Sequence, residues 1–357
     1  MAFFVLLEPA ASADGRPSLE EAVRRLAARH GAQVVPGARG RSVLELRPPA
    51  AEAGALRRGL EALEGVRLLG PGEAPSVAPS PPAPRPLRTG PARFGAGALG
   101  CIAGPCSVES AEQYLPLAER LREAGACALR GGAWKPRTSP YAFDGLGEEA
   151  LEILAEAHRR TGLPVVAEVL DPRSIPALAG RVQILQIGSR NMANAVLLRE
   201  AAGSGLPVLL KRGMSATLGE FLQAAETLAL GGCEGILLCE RGLRHFDPAV
   251  RNLLDLSAVP ALQQRTGLPV VVDPSHGTGR RELVPAMMAA AAAAGADGLL
   301  VEVHPAPEAS WSDARQALDP EAFASALGTV EAVLRATSRR LARPGGTGEG
   351  AGAEAGA

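Results

Sequence analysis

The chain repeats one unit between residues 99 and 341, in which a short apolar run is followed by a loop and an amphipathic helical stretch. The apolar runs lie at residues 100–103, 127–130, 164–169, 183–187, 207–210, 235–238, 269–272 and 298–303. Eight strands that alternate with helices over about 240 residues have the size and element order of a (β/α)8 barrel. We therefore predict an α/β fold whose main part is a (β/α)8 TIM barrel at residues 88–341.

A smaller domain is predicted before the barrel. Strands at residues 2–7, 33–35, 42–46 and 65–69 and helices at 18–29 and 51–63 give the order βαββαβ over residues 1–70. Ser18 and Glu21 have the spacing of a capping box at the start of the first helix. This order and length predict a small α+β ferredoxin-like domain.

Two segments have compositions that do not favour packed structure. Residues 71–87 are rich in proline, which predicts a semi-rigid, extended linker between the two domains. Residues 342–357 contain mostly glycine, alanine and glutamate near the end of the chain, and we expect them to be disordered.

Charge and cysteine content exclude several classes of protein. The chain has 37 Lys and Arg residues against 38 Asp and Glu residues, a formal net charge of −1, whereas proteins that coat nucleic acid or anionic membranes need a basic excess. Five cysteines are too few for a disulfide scaffold in a chain of 357 residues. The longest apolar run, at 284–294, is too short to span a membrane. We expect a cytoplasmic protein.

Cations gather where the predicted strands end. In (β/α)8 enzymes the reactive groups lie at the carboxyl ends of the strands. The basic residues found there are Arg130, Lys135, Arg137, Arg190, Lys211 and Arg241. For one such arginine a surface ion pair is an equally good explanation. Six together indicate one or two ligands that carry phosphate or carboxylate groups, because guanidinium groups bind such anions in a bidentate manner. The sequence contains no Walker motif or dinucleotide fingerprint.

A second set has the side chains of a metal site: Cys106, His276, Glu302 and Asp313. They lie far apart in sequence, but strands 1, 7 and 8 become neighbours when a barrel closes. Thiolate, imidazole and carboxylate ligands together suit a divalent metal such as Mn²⁺, Zn²⁺, Fe²⁺ or Co²⁺. Taken singly, Cys106 is better explained as an inert buried thiol, and the alternative for His276 is a hydrogen-bonding loop residue. The other four cysteines are predicted to lie in the core.

Seven motifs follow the predicted strands in chain order: GPCS at 104–107, RGGAWKPRTSP at 130–140, QIGSRNM at 186–192, LKRG at 210–213, CERG at 239–242, DPSHG at 273–277 and EVHP at 302–305. Together they resemble the 3-deoxy-D-arabino-heptulosonate 7-phosphate (DAHP) synthases over about residues 88–335. The βαββαβ module is similar to the ferredoxin-like regulatory domain of the type Iβ branch of that family. One departure is Ser189, where alanine is usual.

The resemblance implies a transferase that condenses phosphoenolpyruvate with erythrose 4-phosphate and water, the first step of the shikimate pathway. It also implies a role for each matching residue. Arg130, Lys135, Arg190, Lys211 and Arg241 would hold phosphoenolpyruvate, with Ser189 beside its phosphate, and Arg137 and Thr138 would hold the phosphate of the aldose. Cys106, His276, Glu302 and Asp313 match the metal ligands. Lys135 is the candidate for proton transfer and Glu168 for orienting water, which makes Lys135, Glu168, Cys106 and His276 the expected catalytic residues.

Three further questions stay open at this point. The sister family that makes 3-deoxy-D-manno-octulosonate 8-phosphate from arabinose 5-phosphate shares the barrel, but it reads Ala-Asn-Arg-Ser-Ser where this chain has KPRTS at 135–139. A catalytically silent, amino-acid-sensing barrel is the alternative from another functional class. The small domain is expected to sense Tyr or Phe, the alternative being an assembly or solubility module, and the resemblance implies a homo-oligomer, a tetramer.

Overall fold

The structure, a computed structural model, describes residues 3–7, 18–35, 43–69, 77, 84–135, 141 and 143–344. Its first part consists of β1 (Phe3–Leu7), α1 (Leu19–Arg29), β2 (Gln33–Val35), β3 (Val43–Arg47), α2 (Ala53–Glu61) and β4 (Val66–Leu69). The four strands form one antiparallel sheet in the order β2-β3-β1-β4. The predicted ferredoxin-like order is confirmed.

The start of α1 shows how the local sequence sets this small domain. The Ser18 hydroxyl accepts a hydrogen bond from the Glu21 N–H at 3.3 Å, and the Glu21 carboxylate accepts one from the Ser18 N–H at 3.0 Å. These two bonds form the predicted capping box and satisfy two backbone donors that a helix start leaves unpaired. The helix then buries Val23 and Ala27 against the sheet.

The second part is the predicted (β/α)8 barrel. Its eight parallel strands are β7 (Ala98–Gly104), β8 (Ala128–Arg130), β9 (Val165–Val169), β10 (Ile184–Ile187), β11 (Val208–Lys211), β12 (Ile236–Glu240), β13 (Val270–Val272) and β14 (Gly298–Glu302); two short strands, β5 (Leu87–Thr89) and β6 (Ala92–Phe94), precede them and β15 (Arg340–Leu341) follows. Each barrel strand pairs with the next, and β14 pairs with β7, which closes the barrel.

Helices cover the outside of the barrel: α3 (Ala111–Ala124), α4 (Glu148–Thr161), α5 (Ile175–Ala179), α6 (Ala195–Gly203), α7 (Leu218–Leu230), α8 (Ala258–Gln263), α10 (Val284–Ala293) and α11 (Pro320–Ala336), with the short α9 (Pro274–Thr278) following β13 directly. Successive strand residues alternate between two buried clusters. Val165 and Ala167 pack outward against helices, and Val166 between them packs inside the barrel. Burial on both faces explains why the strands read as continuous apolar runs.

A hairpin of β5 and β6, which the sequence did not predict, closes the amino-terminal end of the barrel. Phe94 is fully buried in the cluster inside the barrel. A Cβ atom at Gly100 would lie 2.5 Å from the Phe94 ring, and one at Gly298 would lie 2.9 Å from it. The two glycines near the starts of β7 and β14 therefore leave room for the ring. Phe94 thus fills the floor of the barrel, at the end opposite the predicted site.

Most of the predicted linker and tail lies outside the described residues. Val77 is fully buried; its N–H donates to the Glu226 carboxylate at 3.0 Å and its carbonyl accepts from the Thr266 hydroxyl. After β15, Ala342 is also buried, and its N–H donates to the Leu99 carbonyl at 2.9 Å. Residues before the first barrel strand and after β15 are therefore held against the barrel by hydrogen bonds.

The four cysteines predicted to lie in the core, Cys101, Cys127, Cys233 and Cys239, are all buried. Among the described residues, no helix is both long and apolar enough to cross a membrane.

Truncating Phe94 tests the role of the hairpin. We expect Phe94→Ala to lower the free energy of unfolding by about 3–5 kcal/mol, because it empties a closely packed site. Phe246, whose side chain is 93% exposed, provides the control, and Phe246→Ala should change stability by less than about 0.5 kcal/mol. The measurement is denaturant unfolding of the three proteins, and equal midpoints for Phe94→Ala and the parent chain would contradict this account.

Candidate functional site

One cavity lies at the carboxyl ends of the barrel strands, and most predicted site residues line it. They are Cys106, Arg130, Lys135, Glu168, Ser189, Arg190, Lys211, Arg241, His276 and Asp313. Glu302 is buried beside them, with its Oε2 3.9 Å from Arg130 Nη1. Arg137 and Thr138 lie outside the described residues. The barrel therefore brings together side chains that come from all eight strand ends.

The four predicted metal ligands meet on one side of this cavity. One possible ligand atom from each of Cys106, His276, Glu302 and Asp313 lies within 4.8 Å of those of the other three. Cys106 Sγ is 2.9 Å from Asp313 Oδ2, and His276 Nε2 is 3.7 Å from Glu302 Oε2. We call these residues the four-ligand cluster.

His276 is presented to the cluster by α9. Asp273 caps this helix: its Oδ1 accepts the His276 N–H at 2.9 Å, and its Oδ2 contacts His276 Nδ1 at 2.8 Å. The carboxylate thus occupies Nδ1 and leaves Nε2 facing the cluster, as in many metal-binding histidines. Burial lowers the pKa of His276 to about 3, so the imidazole is neutral at pH 7, which is the form that binds metals.

The two carboxylates of the cluster differ in their surroundings. Burial raises the pKa of Glu302 to about 7, and its Oε1 has no hydrogen-bond partner among the described residues. For Asp313, burial alone would raise the pKa. Electrostatic interactions with His276 and Lys135 and the hydrogen bond from Cys106 outweigh burial, and the pKa of Asp313 lies well below its usual value. A buried carboxylate oxygen without a donor is costly unless a cation binds it. The donor set and this unpaired oxygen fit a divalent metal.

Buried cations form the other side of the cavity. Arg130, Lys211 and Arg241 are each at most 5% exposed. Lys211 pairs with Asp273, whereas Nη1 of Arg130 and Nη1 of Arg241 have no hydrogen-bond partner within the described part of the chain. Burial lowers the pKa of Arg241, since the guanidinium has lost its water. An anionic ligand in the cavity would supply the missing acceptors.

Lys135 and Glu168 also line the cavity. Lys135 Nζ donates to the Cys106 carbonyl at 3.2 Å and also contacts Cys106 Sγ. Glu168 Oε2 accepts from Gln186 Nε2 at 3.3 Å. A Cβ atom at Gly188 would lie 1.9 Å from Glu168 Oε1, so the glycine in QIGSR makes room for this carboxylate.

Several residues of the site were missed from sequence. Asp273 orients both His276 and Lys211. The sequence held a signal for it, because an aspartate three residues before His276 in DPSHG is a typical helix N-cap. Arg212, which follows Lys211, is not a site residue: it does not line the cavity, and it pairs with Glu240 at 2.8 Å and Asp255 at 3.0 Å. Arg251 and Gln316 contact the four-ligand cluster. These contacts of Arg212, Arg251 and Gln316 join residues at least 14 positions apart in the sequence, so no local pattern predicts them.

Comparison with known proteins places this site in a family. A sequence model described as the DAHP synthetase I family matches residues 89–336. The chain is 51% identical over 234 residues to the phospho-2-dehydro-3-deoxyheptonate aldolase of Thermotoga maritima, covering 66% of this chain and 69% of that protein. It is 33% identical over 257 residues to the 2-dehydro-3-deoxyphosphooctonate aldolase of Dechloromonas aromatica, covering 66% and 91%.

Solved structures agree with the sequence comparisons. The crystal structure of the Thermotoga maritima DAHP synthase matches with a TM-score of 0.74 and 39% identity, over 95% of this chain and 99% of that one. A truncated form of the same enzyme matches with a TM-score of 0.70 and 42% identity, over 74% and 98%. The family model covers residues 89–336, and the Thermotoga maritima enzyme is 51% identical to this chain. The chain therefore belongs to the DAHP synthetase I family.

Proposed function

We propose that this protein is a DAHP synthase: it condenses phosphoenolpyruvate with erythrose 4-phosphate and water, and it releases DAHP and phosphate. The observation that carries the proposal is that one cavity holds the four-ligand cluster and two buried arginines. Nη1 of each, in Arg130 and Arg241, has no hydrogen-bond partner in the described part of the chain. The substrates are two phosphorylated anions, and an aldehyde must be activated next to an enol ester. The buried arginines suit the anionic groups of the substrates, and the four-ligand cluster suits a metal that would activate the aldehyde.

Phosphoenolpyruvate would lie on the cationic side of the cavity. Arg130 and Arg241 supply buried guanidinium groups for its carboxylate and phosphate, and Lys211 adds a point charge. Lys135, Ser189 and Arg190 line the same cavity and complete the proposed substrate contacts. Since these groups are positioned by the strand ends before substrate arrives, they stabilise developing charge with little reorganisation.

The four-ligand cluster would hold one divalent metal, Mn²⁺, Zn²⁺, Fe²⁺ or Co²⁺. When bound, such an ion polarises a carbonyl oxygen as a Lewis acid. Asp273 contributes by fixing the His276 ring so that Nε2 faces the cluster. The soft thiolate of Cys106 beside two carboxylates and an imidazole favours a first-row transition metal over Mg²⁺.

Two residues are proposed for proton transfer and water. Lys135, whose Nζ lies against Cys106, is the candidate for moving a proton near the metal. Glu168 is the candidate for orienting the water that adds to C2 of the enol ester, because its carboxylate lines the cavity beside Gly188. Arg137 and Thr138 would bind the phosphate of the aldose.

The aldose is proposed to be erythrose 4-phosphate and not arabinose 5-phosphate. The relative named for the heptonate is 51% identical to this chain, whereas relatives named for the octonate are 33% identical or less. The KPRTS sequence at 135–139 supports the same choice.

We also propose that the ferredoxin-like domain, residues 1–70, regulates the barrel by binding Tyr or Phe, with residues 71–87 as the linker, and that the protein is a homo-oligomer, a tetramer. The support is the separate core of this small domain and a linker that is anchored to the barrel at Val77.

A phosphate-release assay tests the reaction. Release should require both phosphoenolpyruvate and erythrose 4-phosphate, and EDTA should abolish it, because the four-ligand cluster loses its metal. Added Mn²⁺ or Co²⁺ should restore it. Faster turnover with arabinose 5-phosphate would favour the sister activity, and no turnover with either aldose would favour a non-catalytic, amino-acid-sensing barrel.

Replacing Arg241 tests the anion site. Arg241→Met removes a charge-assisted contact worth about 1.5–3 kcal/mol, so the KM for phosphoenolpyruvate should rise about 10–100-fold. Arg173→Met is the matched control, because Arg173 follows β9 on the same face but is 90% exposed and pairs with Asp171. Steady-state kinetics compares the three proteins, and equal KM values for Arg241→Met and the parent chain would contradict the assignment.

Removing residues 1–69 tests regulation. This deletion keeps Val77 and its contacts with the barrel, so the barrel should stay folded and active. Inhibition by Tyr or Phe, measured on the full chain and the truncated chain, should disappear with the domain. Inhibition that persists after truncation would show that the effector binds the barrel.

A further inference from the structure

The loop after β12 reaches across the barrel mouth to the four-ligand cluster. Arg251 Nη1 donates to Asp313 Oδ1 at 3.1 Å and to Gln316 Oε1 at 2.9 Å. Gln316 Nε2 in turn donates to Glu302 Oε2 at 2.7 Å. One guanidinium nitrogen, which carries two hydrogens, is thus linked to both carboxylates of the cluster.

We propose that Arg251 is a positioning residue for the metal: it holds Asp313 directly and Glu302 through Gln316, and it thereby sets the affinity of the four-ligand cluster for a divalent ion. This inference rests on the proposed metal site. The hydrogen bonds of Arg251 at the cluster go to Asp313 and, through Gln316, to Glu302, so its role is to orient these two of the four ligands.

Asp313 needs such support because its backbone conformation is unfavourable. Its φ is +54°, in the left-handed region that residues other than glycine adopt at a cost. Its Oδ2 lies toward Cys106 Sγ at 2.9 Å, and its Oδ1 is the atom that Arg251 holds. The two oxygens are therefore divided between the cluster and the arginine, which fixes the rotation of the carboxylate.

Gln316 transmits the constraint to Glu302. Gln316 is 2% exposed, and its amide has one orientation that satisfies both neighbours, since the oxygen must accept from Arg251 and the nitrogen must donate to Glu302. Glu302 Oε2 is thereby engaged, and Oε1 stays without a partner among the residues that the structure describes. The amide thereby fixes the rotation of this buried carboxylate, whose Oε2 also lies 3.7 Å from His276 Nε2.

Arg251 is itself anchored to the helix that carries His276. Its N–H donates to the Thr278 carbonyl at 2.8 Å, and Asn252 Nδ2 donates to the His276 carbonyl at 2.8 Å. Gly279 has a φ of +68°, and a Cβ atom there would lie 2.4 Å from Arg251 Cβ. The arginine therefore projects from a backbone packed on α9, and it joins the loops of β12, β13 and β14 at the cluster.

The direction in which metal affinity changes when Arg251 is removed distinguishes a positioning role from a purely electrostatic one. Arg251 is a cation beside a cation site, so its removal would strengthen metal binding if charge alone mattered. If it orients the two carboxylates, its removal weakens binding instead. Outer contacts of this kind change metal affinity by about 10–100-fold in other proteins.

The test uses the full chain, stripped of metal with a chelator and titrated with Co²⁺ in the absence of substrates. Binding is followed by the thiolate-to-Co²⁺ absorption of Cys106 and by competition with a chelator of known affinity. Arg251→Met and Gln316→Met should each bind Co²⁺ about 10–100-fold more weakly than the parent chain. Arg251→Lys should recover part of the affinity, because an ammonium group can donate to the same acceptors from a shorter side chain.

Arg160→Met is the matched control. Arg160 is 46% exposed on its side chain, against 44% for Arg251, and it pairs with Glu156 at the end of α4, which precedes β9. This variant should bind Co²⁺ as the parent chain does. Far-UV circular dichroism of the metal-free proteins verifies that each variant is folded.

Three results would overturn the inference. Unchanged or tighter Co²⁺ binding by folded Arg251→Met removes the positioning role and leaves the proposed metal site intact. Unchanged metal affinity with a raised KM for erythrose 4-phosphate would make Arg251 a substrate contact instead. If the parent chain itself shows no thiolate-to-Co²⁺ absorption, the metal site proposed above fails, and this inference fails with it.

Discussion

The pairing of β14 with β7 is the constraint on which the site depends. This pairing closes the barrel in a fixed register, with Glu302 opposite Gly104. Cys106, two residues beyond Gly104, is thereby brought beside a carboxylate almost two hundred positions later in the chain. At Gly104 the φ is +148°, and a Cβ atom would lie 2.1 Å from the Arg130 carbonyl. A glycine is therefore needed where the first strand turns into the site.

Charges of both signs are buried together at the barrel mouth, and neither set would be stable alone. Arg130 lies 3.9 Å from Glu302, Lys211 pairs with Asp273, and Asp273 also holds His276. Burying an unpaired charge costs several kcal/mol, so these mixed contacts offset part of the cost of burying the charges. They also orient each group before a ligand arrives, at the price of leaving Nη1 of Arg130 and Arg241 and Oε1 of Glu302 unsatisfied within the described residues.

Much of the fold could be predicted because its signals are local. Each barrel strand is a buried apolar run, and the observed strands agree with the predicted runs to within about two residues at each end. The Ser18–Glu21 capping box is equally local. The β5–β6 hairpin was missed because three-residue strands carry too short a pattern. Its contribution comes from Phe94 packing under Gly100 and also under Gly298, which lies about two hundred residues later in the chain.

The sequence by itself determined the barrel, because each of its strands is a local apolar run. It also indicated most of the cluster, because Cys106, His276 and Glu302 lie at or just after the ends of predicted strands. Only the tertiary structure decided how these side chains are held. Asp273 orients His276, and Arg251 reaches Asp313 and Gln316 from a loop about sixty residues earlier. Contacts of this kind depend on strand register and loop path, which arise only when the barrel closes.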